Sequence, residues 1–398
     1  MTAKPNNKIL FITQWQYEDA LIQTYTLPYV QIIKKLTGFG CYLICVNKGG
    51  TKTVVREENG VTLIVLPFGT GNQFVNWGKN LLALRKLIKT EGITHLHPWC
   101  TPAGSIGLIL KLLNRKLILT IDSFEPHAEA MVENGTWKKG GLKNKVLSYM
   151  EKLEAKKADN LVFAAPGMQE YILHKYGVKI EKFQVKPACV DLNQFSDKAV
   201  KDKTLLDELG LNGKIVGVYA GKFGGIYLED ESFQLIKKCE GYWGERFRFV
   251  LLSNVHDDYL KKKTEEFGIR KETIIKLFVA HENIAKYIGL ADFAICPVKP
   301  VPTKQYCSPI KDGEYWAMGL PVVITRNISV DSQIIADNNA GAVLQSLDDE
   351  SYITAIKKID SIIATKSREE VYKQIRPLAE KYRNYSIAKK VYTAIYTS

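Results

Sequence analysis

Short runs rich in Val, Ile and Leu alternate with amphipathic segments along almost the whole chain, and this rhythm constrains the fold most strongly. Regular alternation of strands and helices is typical of α/β proteins with parallel sheets. Helices are predicted in the gaps, among them Leu142–Lys157. The predicted strands are Lys8–Thr13, Cys41–Val46, Val61–Leu66, Thr94–Leu96, Lys116–Ile121, Asn160–Phe163, Lys182–Val185, Lys214–Ala220, Phe247–Leu252, Thr273–Phe278, Phe293–Pro297, Pro321–Thr325 and Ala342–Leu344.

The strand series divides into two, because the polar stretch 191–207 interrupts the rhythm and is typical of a linker. A chain of 398 residues is long enough for two hydrophobic cores. We therefore predict a first domain comprising residues 1–195 and 380–398. The second comprises residues 196–379, and both are Rossmann-like. In open parallel sheets, ligands bind beyond the carboxyl ends of the strands, so polar residues that follow strands are the site candidates.

The composition excludes several classes of protein. Hydrophobic residues make up 46% of the chain and charged residues 24%, which is typical of a soluble globular protein. The polar start and the lack of a long apolar run predict neither a signal peptide nor a membrane span. The 7 cysteines form no Cys-x-x-Cys pair and favour reduced thiols over disulfides or a zinc site. The predicted location is the cytoplasm.

The net charge of +13 lies mostly in the first 200 residues. Such a balance predicts either an anionic partner or merely a well-solvated surface. Segment 137–157 combines lysines with Leu142, Val146, Leu147, Met150 and Leu153 at helical spacing. The apolar stripe predicts a helix that packs against the core. The alternative is that the segment docks peripherally on the anionic inner face of the cell membrane. Because no known nucleic-acid-binding motif accompanies the lysines, we predict no nucleic-acid partner.

Segment 308–323, SPIKDGEYWAMGLPVV, is the most informative part of the sequence. Ser308, Pro309 and Ile310 lead into a short helix, whose free amides and positive dipole end suit a phosphate group. Lys311 adds a full positive charge there. Glu314, one turn further, is placed to accept hydrogen bonds from ribose hydroxyls.

This segment resembles the retaining glycosyltransferases of family 4 (glycosyltransferases group 1), which carry Pro-[Ser/Thr]-Lys-x-x-Glu-x-x-Ala-x-Gly-x-Pro-Val. The matching residues are Pro309, Lys311, Glu314, Ala317, Gly319, Pro321 and Val322. The resemblance implies the GT-B fold, in which two Rossmann-like domains face each other across a cleft and the last helix crosses back to the first domain. It also implies a nucleotide diphosphate sugar as donor.

Other segments extend the resemblance along the chain. Val216–Phe223, VGVYAGKF, is similar to the strand and Gly-[Arg/Lys] pair that hold the donor diphosphate in the family. Lys222 takes the cation's position, and Gly224 and Gly225 permit close approach of the backbone to a ligand. The resemblance therefore implies that Lys222 both binds the donor and acts in catalysis.

Two departures from the family pattern concern acidic and basic residues. The family pattern Glu-x7-Glu has its second Glu at Glu314, and its first Glu would fall where this chain has Tyr306. The family also has a second diphosphate-binding Lys, which would fall near Leu228 of this chain. Lys311 is the candidate for the second missing charge. These departures indicate a specialised subfamily.

Segment 121–127, IDSFEPH, is predicted to follow a strand of the first domain and supplies the acceptor-side candidates. Asp122 and His127 are the predicted catalytic residues, and Glu125 is predicted to bind the acceptor. Trp99 begins a loop that corresponds to the family's His-rich loop, and we predict that it also contacts the acceptor. The alternative is a structural role, with Asp122 as a cap and His127 bonded to a loop.

These residues predict transfer of a sugar from a UDP- or GDP-linked donor to a saccharide or lipid-linked acceptor. The resemblance implies retention of anomeric configuration without a metal ion, and a role in bacterial surface polysaccharide or glycoconjugate synthesis. No cofactor is expected beyond the donor. Asp257 and Asp258 are predicted to lie at a helix start and not at a metal site. A nucleotide-sugar epimerase or phosphorylase and a non-catalytic nucleotide-sugar-binding protein are the alternatives.

Overall fold

The computed structural model describes residues 7–68 and 73–397 and divides the chain into two compact units. Unit 1 comprises Met1–Pro187 with Ser386–Ser398, and unit 2 comprises Ala188–Tyr385. The division falls after Pro187 and not at the predicted 195/196, because the next residues pack within unit 2. There the amide of Val190 donates to the carbonyl of Arg383 at 2.8 Å. The polar stretch 191–207 therefore lies inside unit 2.

Unit 1 contains one eight-stranded sheet of order β3-β4-β2-β1-β5-β6-β7-β8. Its strands pair in parallel except at one edge, where β3 runs antiparallel to β4. The central strand β1 is buried on both faces, which explains its unbroken apolar sequence. The strands are β1 (Lys8–Ile12), β2 (Gly40–Lys48), β3 (Val54–Glu58), β4 (Val61–Phe68), β5 (His95–Pro98), β6 (Ile118–Phe124), β7 (Asn160–Phe163) and β8 (Phe183–Val185).

The helices of unit 1 connect these parallel strands. Pro28 lies in the first turn of α1, and Gly38 ends that helix in the left-handed conformation. A π-helical segment, Ile22–Thr26, precedes α1. The helices are α1 (Leu27–Thr37), α2 (Gln73–Glu91), α3 (Cys100–Leu113), α4 (His127–Glu133), α5 (Leu142–Lys157) and α6 (Met168–Tyr176).

Unit 2 contains a six-stranded, wholly parallel sheet of order β11-β10-β9-β12-β13-β14. Its strands are β9 (Ile215–Ala220), β10 (Phe247–Leu252), β11 (Ile274–Leu277), β12 (Phe293–Cys296), β13 (Val322–Thr325) and β14 (Gly341–Leu344). Its helices are α7 (Lys203–Glu208), α8 (Asp230–Trp243), α9 (Asp257–Glu266), α10 (Ile284–Ile288), α11 (Ile310–Ala317), α12 (Asp331–Asp337), α13 (Asp349–Ile363) and α14 (Arg368–Tyr382). The last helix, α15 (Tyr385–Tyr396), lies almost wholly in the segment that returns to unit 1.

In the described part of the chain, no helix is both long and apolar enough to cross a membrane. All seven cysteines are free thiols.

Gly319 ends helix α11 with φ of 63°, and a Cβ there would lie 2.5 Å from the Cα of Tyr372. We expect Gly319→Ala to lower the free energy of unfolding by about 3 kcal/mol, because it combines left-handed strain with a backbone clash. Gly210 is the matched control, since it has a φ of 62° but no neighbour within 4 Å of a built Cβ. Gly210→Ala should cost only the strain, about 1 kcal/mol. Urea unfolding of both variants measures the difference, and equal losses would contradict the packing argument.

Candidate functional site

Helix α11 of unit 2 begins where three predicted donor-binding residues follow one another. Pro309 is its N-cap residue and Ile310 its first helical residue. Proline offers no side-chain acceptor for the amides of the first turn, so these amides and the positive dipole end favour an anion. The start of α11 thus has the electrostatic character that a phosphate requires.

Lys311, in the first turn of α11, is held by aromatic residues. Its Nζ donates to the hydroxyl of Tyr227 at 2.8 Å and lies 4.2 Å from the centre of that ring. The ring of Tyr219 lies 5.8 Å away. Burial favours the neutral amine, but Tyr227 and the Glu314 carboxylate outweigh this effect and raise the pKa of Lys311. Lys311 is therefore a fixed cation at the helix start.

The loop that follows β9 lies against Lys311. A Cβ at Gly221 would lie 2.7 Å from Cε of Lys311 and 3.0 Å from the hydroxyl of Tyr219, so glycine permits this contact. Tyr219 donates to the carbonyl of Lys222 at 2.7 Å. The side chain of Lys222 is exposed, and Gly224 and Gly225 follow it with φ of 79° and 62°. The structure thus brings the glycine loop after β9 to the start of α11, although 90 positions separate Gly221 from Lys311 in the sequence.

Glu314 lies one turn beyond Lys311 and is only 7% exposed. Its Oε1 lies 4.0 Å from Nε2 of His281, at the start of a 3₁₀ turn after β11. Among the described residues, Nε2 of His281 has no hydrogen-bond partner. Sequence reasoning missed His281, because only the fold places it beside Glu314.

Ser308 is occupied by contacts within unit 2. Its hydroxyl oxygen accepts from the amide of Ala188 at 3.0 Å and from the guanidinium of Arg383. The other arm of Arg383 bonds to Asp331, and Asp312 of α11 lies beside this pair. Burial, together with the neighbouring Asp331, raises the pKa of Asp312 well above its ordinary value. These contacts hold the start of α11 in place, so the Ser308 side chain serves to orient the helix.

The predicted catalytic Asp122 lies inside β6 and not after it, and its side chain is fully buried. Its Oδ1 lies 3.3 Å from Nζ of Lys186, and its Oδ2 accepts from the hydroxyl of Tyr392 at 2.7 Å. Nε2 of His97 lies 3.3 Å from the same Oδ2. Burial alone would raise the pKa of Asp122, but Lys186, His97 and Tyr392 hold it below its ordinary value.

We call Asp122, Lys186, His97 and Tyr392 the buried network. Burial lowers the pKa of His97, so its imidazole is neutral and the network contains one ion pair. Nζ of Lys186 also lies 3.7 Å from the ring centre of Tyr29. Ser123, next to Asp122, has φ of 52° at an irregularity of β6, which indicates local strain. The contacts favour a structural role for Asp122, as a member of this network and not as the cap of the following segment. The bond from Tyr392 joins the last helix to β6.

The other acceptor-side candidates occupy different environments. Trp99 is 1% exposed and packs on His97, with ring centres 4.6 Å apart. This burial places Trp99 in the core of unit 1 and not on a surface that meets an acceptor. His127 begins α4 and is partly exposed, as is Glu125 two residues earlier. His127 and Glu125 therefore remain the accessible candidates in this segment.

Across residues 7–68 and 73–397, no group of three His, Cys, Asp or Glu side chains is arranged to hold a metal ion. Asp257 is the first residue of α9, and its carboxylate pairs with Lys276. His256, not an Asn or Asp side chain, takes the N-cap position there.

Comparison with known proteins identifies the region of unit 2 that carries this site. Residues 218–360 match the family model described as glycosyl transferases group 1. The matched range includes Lys222, Lys311 and Glu314. This match confirms the resemblance seen in the sequence. No curated protein matches the chain.

Solved structures extend the comparison to the whole chain. Sucrose-phosphate synthase from Thermosynechococcus elongatus has a TM-score of 0.77 at 13% identity, covering 98% of both chains. WaaG, a glycosyltransferase involved in lipopolysaccharide biosynthesis, has a TM-score of 0.75 at 13% identity, covering 98% of this chain and 100% of its own. HepE from Anabaena, in complex with UDP and glucose, has a TM-score of 0.68 at 14% identity, with 98% and 100% covered. The predicted GT-B fold is confirmed.

Proposed function

We propose that this chain, whose residues 218–360 match the group 1 glycosyltransferases, transfers a sugar from a nucleoside diphosphate sugar to a saccharide or lipid-linked acceptor. The observation that carries the proposal is the position of Lys311. It is a cation fixed at the start of α11, beside the glycine loop that follows β9 and one turn before Glu314. Each neighbour suits one part of a nucleoside diphosphate.

The leaving group of such a transfer is a nucleoside diphosphate, whose β-phosphate gains negative charge as the glycosidic bond breaks. Lys311, Lys222 and the first-turn amides of α11 stabilise that charge electrostatically, which is commonly a large catalytic contribution. Because these groups supply positive charge themselves, the proposed reaction needs no metal ion. The ribose hydroxyls donate hydrogen bonds to Glu314.

The finer features of the proposal come from the family resemblance. We propose retention of anomeric configuration, a UDP- or GDP-linked donor, and a role in bacterial surface polysaccharide or glycoconjugate synthesis on the cytoplasmic side, with peripheral contact to an anionic membrane. Acceptor recognition is assigned to His127 and Glu125 in unit 1, the two partly exposed candidates. WaaG, which has the same fold, supports the surface-polysaccharide assignment by analogy.

Nucleotide binding tests the donor site without knowledge of the acceptor. UDP or GDP at a hundred times its Kd is expected to raise the Tm by about 5–10 °C, since ligand bound only to the folded state stabilises it. The shift should persist in EDTA because no metal is required. Glu314→Ala should weaken nucleoside diphosphate binding about tenfold to a hundredfold but leave pyrophosphate binding unchanged. Differential scanning fluorimetry with UDP, GDP and pyrophosphate measures all three effects.

The outcomes separate the candidate functions. No shift with either nucleotide would contradict the donor site, and equal weakening of pyrophosphate and nucleotide would contradict the ribose role of Glu314. Binding without sugar transfer over an acceptor panel would indicate a non-catalytic protein. Conversion of the donor sugar without an acceptor would indicate an epimerase. Product anomers identified by NMR test retention.

A further inference from the structure

Helix α5 of unit 1 exposes an apolar stripe. The side chains of Leu142, Val146 and Tyr149 are 75%, 54% and 62% exposed. Their spacing of four and then three residues places them on one side of the helix. The sequence-based expectation that Leu142 and Val146 pack against the core is wrong. Leu147 instead supplies an apolar contact on the buried side, at 9% exposure.

The acidic and basic side chains of α5 lie on different sides of the helix. Glu151 and Glu154 are buried, at 1% and 0% exposure. Glu151 accepts from the amide of Ala128 at 2.8 Å and from the hydroxyl of Tyr176 at 2.6 Å. Glu154 accepts from Ser105 at 2.7 Å. Both carboxylates of the helix are therefore withdrawn from its surface.

The surface around the stripe is correspondingly basic. Lys138, Lys139, Lys143 and Lys145 are all exposed, and residues 134–150 contain no Asp or Glu. In the part of the chain that the structure describes, none of these four lysines forms an ion pair. Lys139 acts electrostatically on the Glu129 carboxylate, and the charges of Lys138, Lys143 and Lys145 are available to a partner outside the chain.

We propose that this face, formed by Leu142, Val146, Tyr149 and the four lysines and here called the docking face, binds an anionic lipid surface. A lipid bilayer offers both anionic headgroups for the lysines and an apolar layer for the stripe. A second copy of the chain fits poorly, because its docking face carries the same positive charge. A soluble acidic polymer would leave the apolar stripe without a partner.

The proposal locates the membrane contact included in the proposed function and rests on that function only for its biological purpose. The docking face lies on α5 and the segment just before it, in unit 1, whereas the donor site lies in unit 2. Lipid binding and nucleotide binding are therefore measured separately. A failure of lipid binding would contradict the docking face and not the donor site, and a failure of nucleotide binding would do the reverse.

Vesicle co-sedimentation of the full chain tests the proposal. With large vesicles of 30% phosphatidylglycerol and 70% phosphatidylcholine we expect binding that weakens at high salt, and little binding to pure phosphatidylcholine. Each lysine near such a surface strengthens binding about fivefold, the equivalent of about 1 kcal/mol. Lys143→Glu with Lys145→Glu should therefore weaken binding at least about twentyfivefold. The triple serine variant, Leu142→Ser with Val146→Ser and Tyr149→Ser, should weaken vesicle binding about a hundredfold.

The matched controls lie elsewhere on the surface. Lys261→Glu with Lys262→Glu reverses two exposed charges on α9, and Val55→Ser removes an apolar side chain that is 62% exposed on β3. Both should retain vesicle binding, and all variants should keep the UDP- or GDP-induced rise in Tm. Unchanged binding of both docking-face variants would overturn the proposal. So would a dimer, seen by sedimentation equilibrium, that the triple serine variant dissociates without any effect on vesicle binding.

Discussion

Lys311→Ala is expected to lower kcat/KM for sugar transfer about a thousandfold. Loss of one fixed group that stabilises developing charge in a transition state commonly costs about a hundred- to a thousandfold. The loss for Lys311→Ala should reach the upper end of this range, because Leu228 occupies the position of the family's second diphosphate-binding lysine. Release of nucleoside diphosphate from UDP- and GDP-sugars over an acceptor panel measures the effect.

The fold should survive this change. Lys311 contributes a hydrogen bond and a cation–π contact to Tyr227, whose loss costs about 1 kcal/mol. Lys286→Ala, on the exposed side of α10, is the matched control and should retain full activity. If Lys311→Ala retains more than a tenth of the activity while remaining folded, Lys311 does not stabilise the leaving group.

Most of the strands could be predicted from the sequence because buried parallel strands have continuous apolar sequences. The antiparallel edge strand β3 was missed. Its sequence, VVREE, has exposed side chains and no apolar alternation. A signal was nevertheless present, because Asn59 and Gly60 both have positive φ in the turn between β3 and β4. An Asn-Gly pair between strands is a strong hairpin signal.

The two halves of the candidate site differed in how far the sequence could predict them. The α11 segment lies within one continuous motif, so its residues could be chosen together and the structure holds them at one helix start. The surroundings of Asp122 could not be predicted in this way. Its partners Lys186 and Tyr392 lie 64 and 270 positions away and meet it only after the sheet and the last helix have formed.

Lys186→Met is expected to lower the free energy of unfolding by about 4 kcal/mol at pH 7, since it leaves Asp122 buried as an unpaired charge. Combining it with Asp122→Asn should restore much of this loss, because no charge is then left without its partner. Lys175→Met is the matched control. Lys175 pairs with Glu129 near the surface, with side chains 24% and 44% exposed, and its loss should cost at most about 1 kcal/mol.

The pH dependence of the unfolding free energy distinguishes loss of the Lys186–Asp122 ion pair from simple loss of packing. In the native protein the pKa of Asp122 is depressed, so its contribution is present above the unfolded value of about 3.9 and is lost as the pH falls toward the lower folded pKa. Without Lys186 the effect of burial prevails and raises the folded pKa, so protonation at low pH relieves the unpaired charge. The difference in unfolding free energy between native protein and Lys186→Met should therefore shrink between pH 7 and pH 4.5. A difference that stays constant over this range in urea titrations, or a double variant as unstable as the sum of the two single ones, would show that Lys186 acts by packing alone.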